Sequence, residues 1–421
     1  MPIRRPRRPK PVLRHVAFME TMASSLEGTP IHHGAHAALL TFRLLDQWIA
    51  LGAELATPDN STHRAAREAA TTLRGDDEMR AALGSIIDAI VALQEPDAQP
   101  LLPRVFALGK LLEQRGLVAQ ASDIYSTVTR HVDATVHLDL AFDAHMRNGF
   151  CLRSAGEFEW ADQSYATAGA LAGRARDRVR VIYARAGQAK VEWARGNLPA
   201  AEAAMQELAD EAEKLDANRV LAMVMHDRAG VARHRGDLQR AVRYAFESFR
   251  RTTDDYERER VLNDLANFLS QSGFVDSAQD AMRVLELTSK SQEVRWVAQI
   301  GLMELGARTG SETTFESYRR SLADEPLPAA QRTSFLLDSG KGLTAFGHFE
   351  DARISLGSAL RLAETSGQNQ RVFQIEEALE SLANAERDKK VPTAKRPEPM
   401  VAPDDITAVL HDLLTEVAGA L

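Results

Sequence analysis

A single cysteine, Cys151, stands among 421 residues, so no disulfide forms within the chain and no structural zinc site arises from several thiolates. A reducing compartment is the natural reading, and a cytoplasmic location is expected. Aromatic residues make up only 6% of the chain while alanine recurs throughout, which suits closely packed helices better than sheets of β-branched and aromatic side chains. Apolar residues never run for the ~18 positions of a membrane helix. The stretch VLRHVAFMETMASSL is too broken by polar groups for a signal-peptide core. The motifs of familiar chemistry are missing too. There is no GxSxG elbow, no HExxH, and no GxxxxGK[ST] or GxGxxG cradle for phosphates. No catalytic residue, cofactor or metal is expected.

A basic run free of acids stands in one place. Residues 1–19 carry Arg4, Arg5, Arg7, Arg8, Lys10 and Arg14 with no acid, and the net charge of -8 leaves the remainder at -14. An acidic body lacks the sustained basic surface that displaces counterions from phosphates, so nucleic acid is not expected as a partner except through the basic arm.

What is present is a repeat. In RGLVAQA, AGEFEWA, RGNLPAA, RGDLQRA, SGFVDSA and FGHFEDA a glycine falls at 116, 156, 196, 236, 273 and 347, followed five residues later by Ala121, Ala161, Ala201, Ala241, Ala278 and Ala352. The intervals are 40, 40, 40, 37 and then 74, twice 37. A degenerate unit is therefore expected to turn at 310, where Gly310 stands, with Phe315 in the alanine column. A turn glycine ends a first helix in the left-handed region, and the apolar residue two places on (Val118, Phe158, Leu198, Leu238, Val275, Phe349) anchors a second. Seven residues before the turn stand Gly109, Gly149, Ala189, Ala229, Ala266 and Gly340, with Met303 the exception; small side chains there let two helices approach. Five before it an apolar column (Leu111, Cys151, Val191, Val231, Phe268, Leu305) is broken only by Gly342. A helix pair of this kind cannot bury its apolar face alone and must stack.

These columns resemble the tetratricopeptide repeat over about residues 97 to 385, with units of 37 to 40 rather than 34, no tryptophan near the first helix start and no closing proline. Units of this length look like those of bacterial signal-sensing repeat proteins and kinesin light chains. The resemblance implies an all-α fold, a right-handed α-solenoid of about seven hairpins, working as a non-catalytic adaptor or scaffold that holds a protein or peptide on its inner face. A bundle followed by seven repeats is also similar in outline to the Rap family of peptide-controlled bacterial regulators, which implies the alternative of a peptide-responsive sensor.

Around the array the chain divides into a basic, largely disordered arm (1–28), an N-terminal helical bundle (29–95), a flexible Pro- and Lys-rich linker (386–403) and a C-terminal amphipathic helix (404–421). Helices are expected at 31–56, opened by Thr29 and Pro30, then near 61–74 and 77–93.

In the bundle, His32 and His36 lie one turn apart and could both face a metal, but no third ligand stands at a recognisable spacing. Cys151 falls in a core column, where a thiol fills space. For binding, the positions thirteen, ten, six and three before each turn should line the inner face. The central units place Met146, Phe150 and Arg153 there, then Tyr183, Lys190 and Trp193, then Met223, His226 and Arg233, then Arg260, Asn263 and Asn267. Cationic and aromatic groups favour protein recognition, and an asparagine pair can grip an extended backbone. At the end of the chain Ile406, Val409, Leu410, Leu413, Leu414 and Val417 form one apolar stripe, which needs something to cover it. Three surfaces compete for it: the array's own last repeat, the same helix of a second copy, or a different protein, and the polar tether favours one outside the chain.

Overall fold

A computed structural model of the chain describes residues 14–51, 61–93, 97–388 and 402–420. Among them are twenty α-helices and no strand. The chain divides into two compact units, Met1–Ala204 and Met205–Leu421.

The first unit opens with α1 (Val16–Ser24), α2 (Pro30–Leu51), α3 (Ser61–Thr71) and α4 (Asp77–Ala92), which packs on α5 (Leu102–Gln114). Then come α6 (Val118–His131), α7 (Leu138–Ser154), α8 (Phe158–Arg174) and α9 (Arg178–Ala194), and the division falls within α10 (Leu198–Lys214). The second unit continues with α11 (Asn218–His234), α12 (Leu238–Arg251), α13 (Asp255–Gln271), α14 (Val275–Thr288), α15 (Gln292–Thr309), α16 (Glu312–Ala323), α17 (Ala329–Phe346) and α18 (Phe349–Thr365). The single helix α19 (Asn369–Asp388) closes the series on α18 and α17, and α20 (Asp404–Ala420) follows. The fold is all-α, a tetratricopeptide-like series of hairpins, as the repeat columns imply.

All seven turn glycines have positive φ, between 74° and 84°. The residue after each donates its amide to a carbonyl near the end of the first helix, as Glu157 does to Leu152 (2.9 Å) and His348 to Leu343 (2.9 Å). The left-handed glycine thus satisfies carbonyls that the helix leaves unpaired. In six of the seven units the anchor two residues on is the first residue of the second helix, and the alanine column is wholly buried. The small column explains the close approach. A Cβ on Gly149 would sit 2.8 Å from the Tyr165 ring, and one on Gly109 2.7 Å from Tyr125.

The change of period from 40 to 37 has a local cause. Helices α8 and α10 have 17 residues, whereas α12 and α14 have 14 and lead to the next first helix over an equally short connection. Helix α6 also has 14 residues, and the longer connection 132–137 restores the 40-residue interval.

The two exceptions in the columns fit each other. Phe315, where other units carry alanine, is fully buried, and its ring occupies the space that a Cβ on Gly342 would need. The bulk missing from the apolar column of the last hairpin is supplied by the preceding one. Only Leu111 departs from its column. It is half-buried, and Leu112 beside it takes the core position.

Two boundaries differ from the sequence reading, and a third lies partly outside the described residues. The arm is not disordered to residue 28, because α1 is helical and buries Phe18 against Phe42 of α2, the rings 6.0 Å apart. Residues 1–13 lie outside the described residues, as does most of the expected linker, while α19 reaches Asp388. Of the helix expected over 31–56 the described part ends at Leu51. The largest correction is the C-terminal helix. It packs on α14 of its own chain, where Ala402, Ile406 and Leu410 are buried and Val409, Leu413 and Leu414 are half-buried. Val417 is half-buried as well. The apolar stripe is covered from within the molecule, so the contact expected of an outside partner or second copy is already made by α14.

Candidate functional face of the first helices

Within each unit the first helices touch one another. In the first unit α5 meets α7 and α7 meets α9; in the second, α13 meets α15, α15 meets α17, and α17 meets α19. The second helices pack instead between neighbouring first helices, as α6 does between α5 and α7. The residues expected at the inner face therefore lie on the mutually adjacent row.

In the first unit six of them share helices α7 and α9. Met146 and Tyr183 lean on one apolar cluster around Phe142, Ala168 and Ala184. Phe150 stays 39% exposed, large for an aromatic ring, and the Arg153 guanidinium stands over it at 5.5 Å from the centroid. Lys190 and Trp193 are half-buried on α9. A cation held on an exposed ring offers a flat apolar surface and a charge together.

A hydrogen-bonded group on α5, α6 and α7 escaped the sequence reading. Arg147 donates to both carboxylate oxygens of Glu113 at 3.0 Å, and the Tyr125 hydroxyl donates to the same carboxylate at 2.7 Å, tying α5, α6 and α7. Arg147 also stands over Phe106. Burial and the Glu113 charge push the Tyr125 phenol far above its usual range, so it remains a donor. Extending the same offsets one hairpin towards the N-terminus would have found Phe106 and Glu113, ten and three residues before Gly116. Burial also pushes the Cys151 thiol up to about 12, so it is a protonated filler of the core.

In the second unit the expected residues are less available. His226 is 8% exposed and its Nε2 lies 2.8 Å from Asp264 Oδ2, a contact of α11 with α13. It is an internal tie, whereas a groove contact was expected. Asn267 donates to the carbonyl of Asn263 at 2.9 Å, so part of the pair's hydrogen-bonding capacity is turned onto its own helix. Arg260 is exposed and bonded to Glu257, Arg233 is exposed, and Met223 is half-buried.

His32 and His36 of the bundle lie on α2, outside the row of first helices. His32 lies 3.4 Å from the Ser25 hydroxyl, and His36 is exposed. Among the described residues no group of three or more His, Cys, Asp or Glu side chains could hold a metal ion, and no helix is long and apolar enough to cross a membrane.

No family model matches the chain, and the curated proteins compared with it include no match. Among solved structures it is similar to the apo form of RapI, at 11% identity and a TM-score of 0.46, covering 82% of this chain and 99% of that one. It is also similar to a tetratricopeptide repeat protein from Parabacteroides merdae, at 13% identity and a TM-score of 0.42, covering 65% and 98%. A third likeness is to PilF of Pseudomonas aeruginosa, at 16% identity and a TM-score of 0.38, covering 52% and 90%. These are distant likenesses in the arrangement of helices.

Proposed function

We propose that the protein is a non-catalytic adaptor that binds a protein or peptide segment on the row of first helices in its first unit. The observation that carries this reading is Phe150, exposed on α7 beneath Arg153, with Tyr183, Lys190 and Trp193 on α9, the next first helix, which packs on α7. Recognition surfaces combine aromatic and cationic groups on a fixed support, and the Glu113–Arg147 pair with Tyr125 supplies that support here.

Binding to an array of peptides of varied charge and aromatic content tests it, with wild type compared against Phe150→Glu and Trp193→Ala. Peptides retained by wild type should be lost by at least tenfold in both variants, as expected for central aromatic anchors worth about 2 kcal/mol or more. Equal retention by all three, with unchanged helical content, would remove this face from consideration.

A further inference from the structure

Of the helices that stand outside the hairpins, α1 and α20 dock at the same place on a second helix. Counted from the turn glycine, the fourth residue of α6 is Gln120 and that of α14 is Ser277. Gln120 donates to the Thr21 hydroxyl of α1 at 2.5 Å, and Ser277 lies 3.3 Å from the Thr407 hydroxyl of α20. The seventh residue is aspartate in both. Asp123 meets His15 at 3.0 Å, and Asp280 meets His411 at 3.9 Å. In the other five hairpins the seventh residue is Gln163, Ala203, Arg243, Ser317 or Ile354, and each is exposed. A half-buried carboxylate facing a histidine therefore marks the two hairpins that carry an added helix.

At α1 the geometry is more demanding. The His15 side chain is 2% exposed, and both ring nitrogens face carboxylates, Nδ1 to Asp123 Oδ1 and Nε2 to Asp46 Oδ2 at 3.3 Å. An ionised carboxylate only accepts hydrogen bonds, so both nitrogens must donate, and only the imidazolium carries two N–H groups. His15 also has φ of 60°, a conformation that a non-glycine residue keeps only when its surroundings hold it.

We propose that α1 is a proton-dependent latch: the His15 imidazolium, gripped by Asp46 of α2 and Asp123 of α6, holds the N-terminal helix down, and loss of its proton frees the helix. Deprotonation leaves one of two partly buried carboxylates facing a lone pair instead of a donor. The other charged groups around the ring do not replace the missing proton. Arg14 already pairs with Asp46 at 3.1 Å and is 46% exposed, and Arg43 of α2 turns to the Met19 sulfur. His131 of α6 has its pKa lowered by burial and by Arg130, so it is neutral in the same range.

Burial opposes the charge on His15, but the hydrogen bonds and charges of Asp123 and Asp46 outweigh it and raise the pKa to about 8. A folded-state value above the ordinary 6.5 means that the latch contributes fully below that pH and is lost as pH rises through about 8. The freed helix would offer Phe18, Met19 and Met22 beside the basic residues Arg4 to Arg14.

Hydrogen exchange of the full chain between pH 6 and 9, corrected for intrinsic exchange rates, tests this together with NMR titration of the His15 ring. Protection of α1 should fall by about twentyfold across that range, as linkage gives for a shift from 6.5 to about 8. Helix α20 serves as the internal control, since His411 is 70% exposed and its contact is long. Asp123→Asn should move the loss of α1 protection to lower pH while the hairpins stay protected. Unchanged α1 protection up to pH 9, a His15 titration at or below its ordinary value, or a midpoint unmoved by Asp123→Asn would each overturn the latch.

Discussion

Phe315→Ala and Gly342→Leu, made singly and together, test whether the two broken columns of the repeat compensate each other. Phe315 is fully buried on α16, beside Phe346 (ring centroids 5.4 Å apart), and its ring covers the face of Gly342 on α17. Truncating a buried phenylalanine to alanine costs ~3–5 kcal/mol through lost transfer energy and the cavity left behind. Gly342→Leu alone forces a side chain into the ring, and overpacking of this kind costs ~1–3 kcal/mol even after the helix gains a better former than glycine. Independent sites would sum to about 4–8 kcal/mol. The double variant instead restores the pattern of the other hairpins, alanine after the turn and a bulky residue before it. It should cost less than Phe315→Ala alone, under ~3 kcal/mol, with a coupling energy above ~1 kcal/mol. The assay is native-state hydrogen exchange of peptides from α15 to α17, supported by urea unfolding followed through Trp296, which is buried in the same cluster. A local readout is needed because neighbouring repeats open separately. Additive costs would refute the compensation and leave Gly342 without a packing reason.

Leu410→Asp places a charge where α20 is wholly buried, at a cost of ~2 kcal/mol or more; amide protection should fall in α20 and in α14 but not in α5 to α9, and undisturbed α14 would show that the helix is not docked there. The Cys151 thiol, pushed up to about 12 by burial, should resist a thiol-specific reagent at pH 8 until the chain is unfolded, and rapid labelling of the native protein would contradict its place in the core. Asp338 has its pKa raised to about 7 by burial and by Glu304. A raised carboxylate contributes stability below its unfolded pKa of ~3.8 and loses it as pH rises through 7, so Asp338→Asn should stabilise the second unit by ~1–2 kcal/mol at pH 8 and by nothing at pH 3; urea midpoints at the two pH values check this.

Much of the fold could be read from the sequence because each hairpin states its geometry at fixed offsets. A glycine forced to positive φ, a buried alanine five places on and a small residue seven places back are three independent steric demands, repeated along the array. Even the degenerate sixth turn at Gly310 follows from spacing alone. The candidate site was less legible, since offsets identify a face without saying what its side chains already touch. Phe150 and His226 both occupy inner-face offsets, six residues before Gly156 and ten before Gly236, yet one is exposed beneath a cation and the other is tied to Asp264. That difference depends on the residue opposite, on a neighbouring first helix 38 positions further along.

The end helices show where pattern reasoning stops and where it could have gone further. The stripe from Ile406 to Val417 demands a cover but does not name one, and a polar tether reads equally well as a leash to another molecule or to the same one. The missing information lay on the receiving helix. Eleven residues after the turn, the second helices carry Thr167, Glu207, Glu247, Ser321 and Ser358, polar groups at half-buried or exposed positions. At the same place α14 carries Val284, 6% exposed, and α6 carries Thr127, fully buried with its hydroxyl turned back to the Asp123 carbonyl. The back-bonded hydroxyl is no sign by itself, since Thr167 and Ser358 make the same bond at wetter positions. Val284 is the one apolar side chain in the column, four residues beyond an aspartate that only α6 shares at that place, and it marks α14 as the surface that α20 covers.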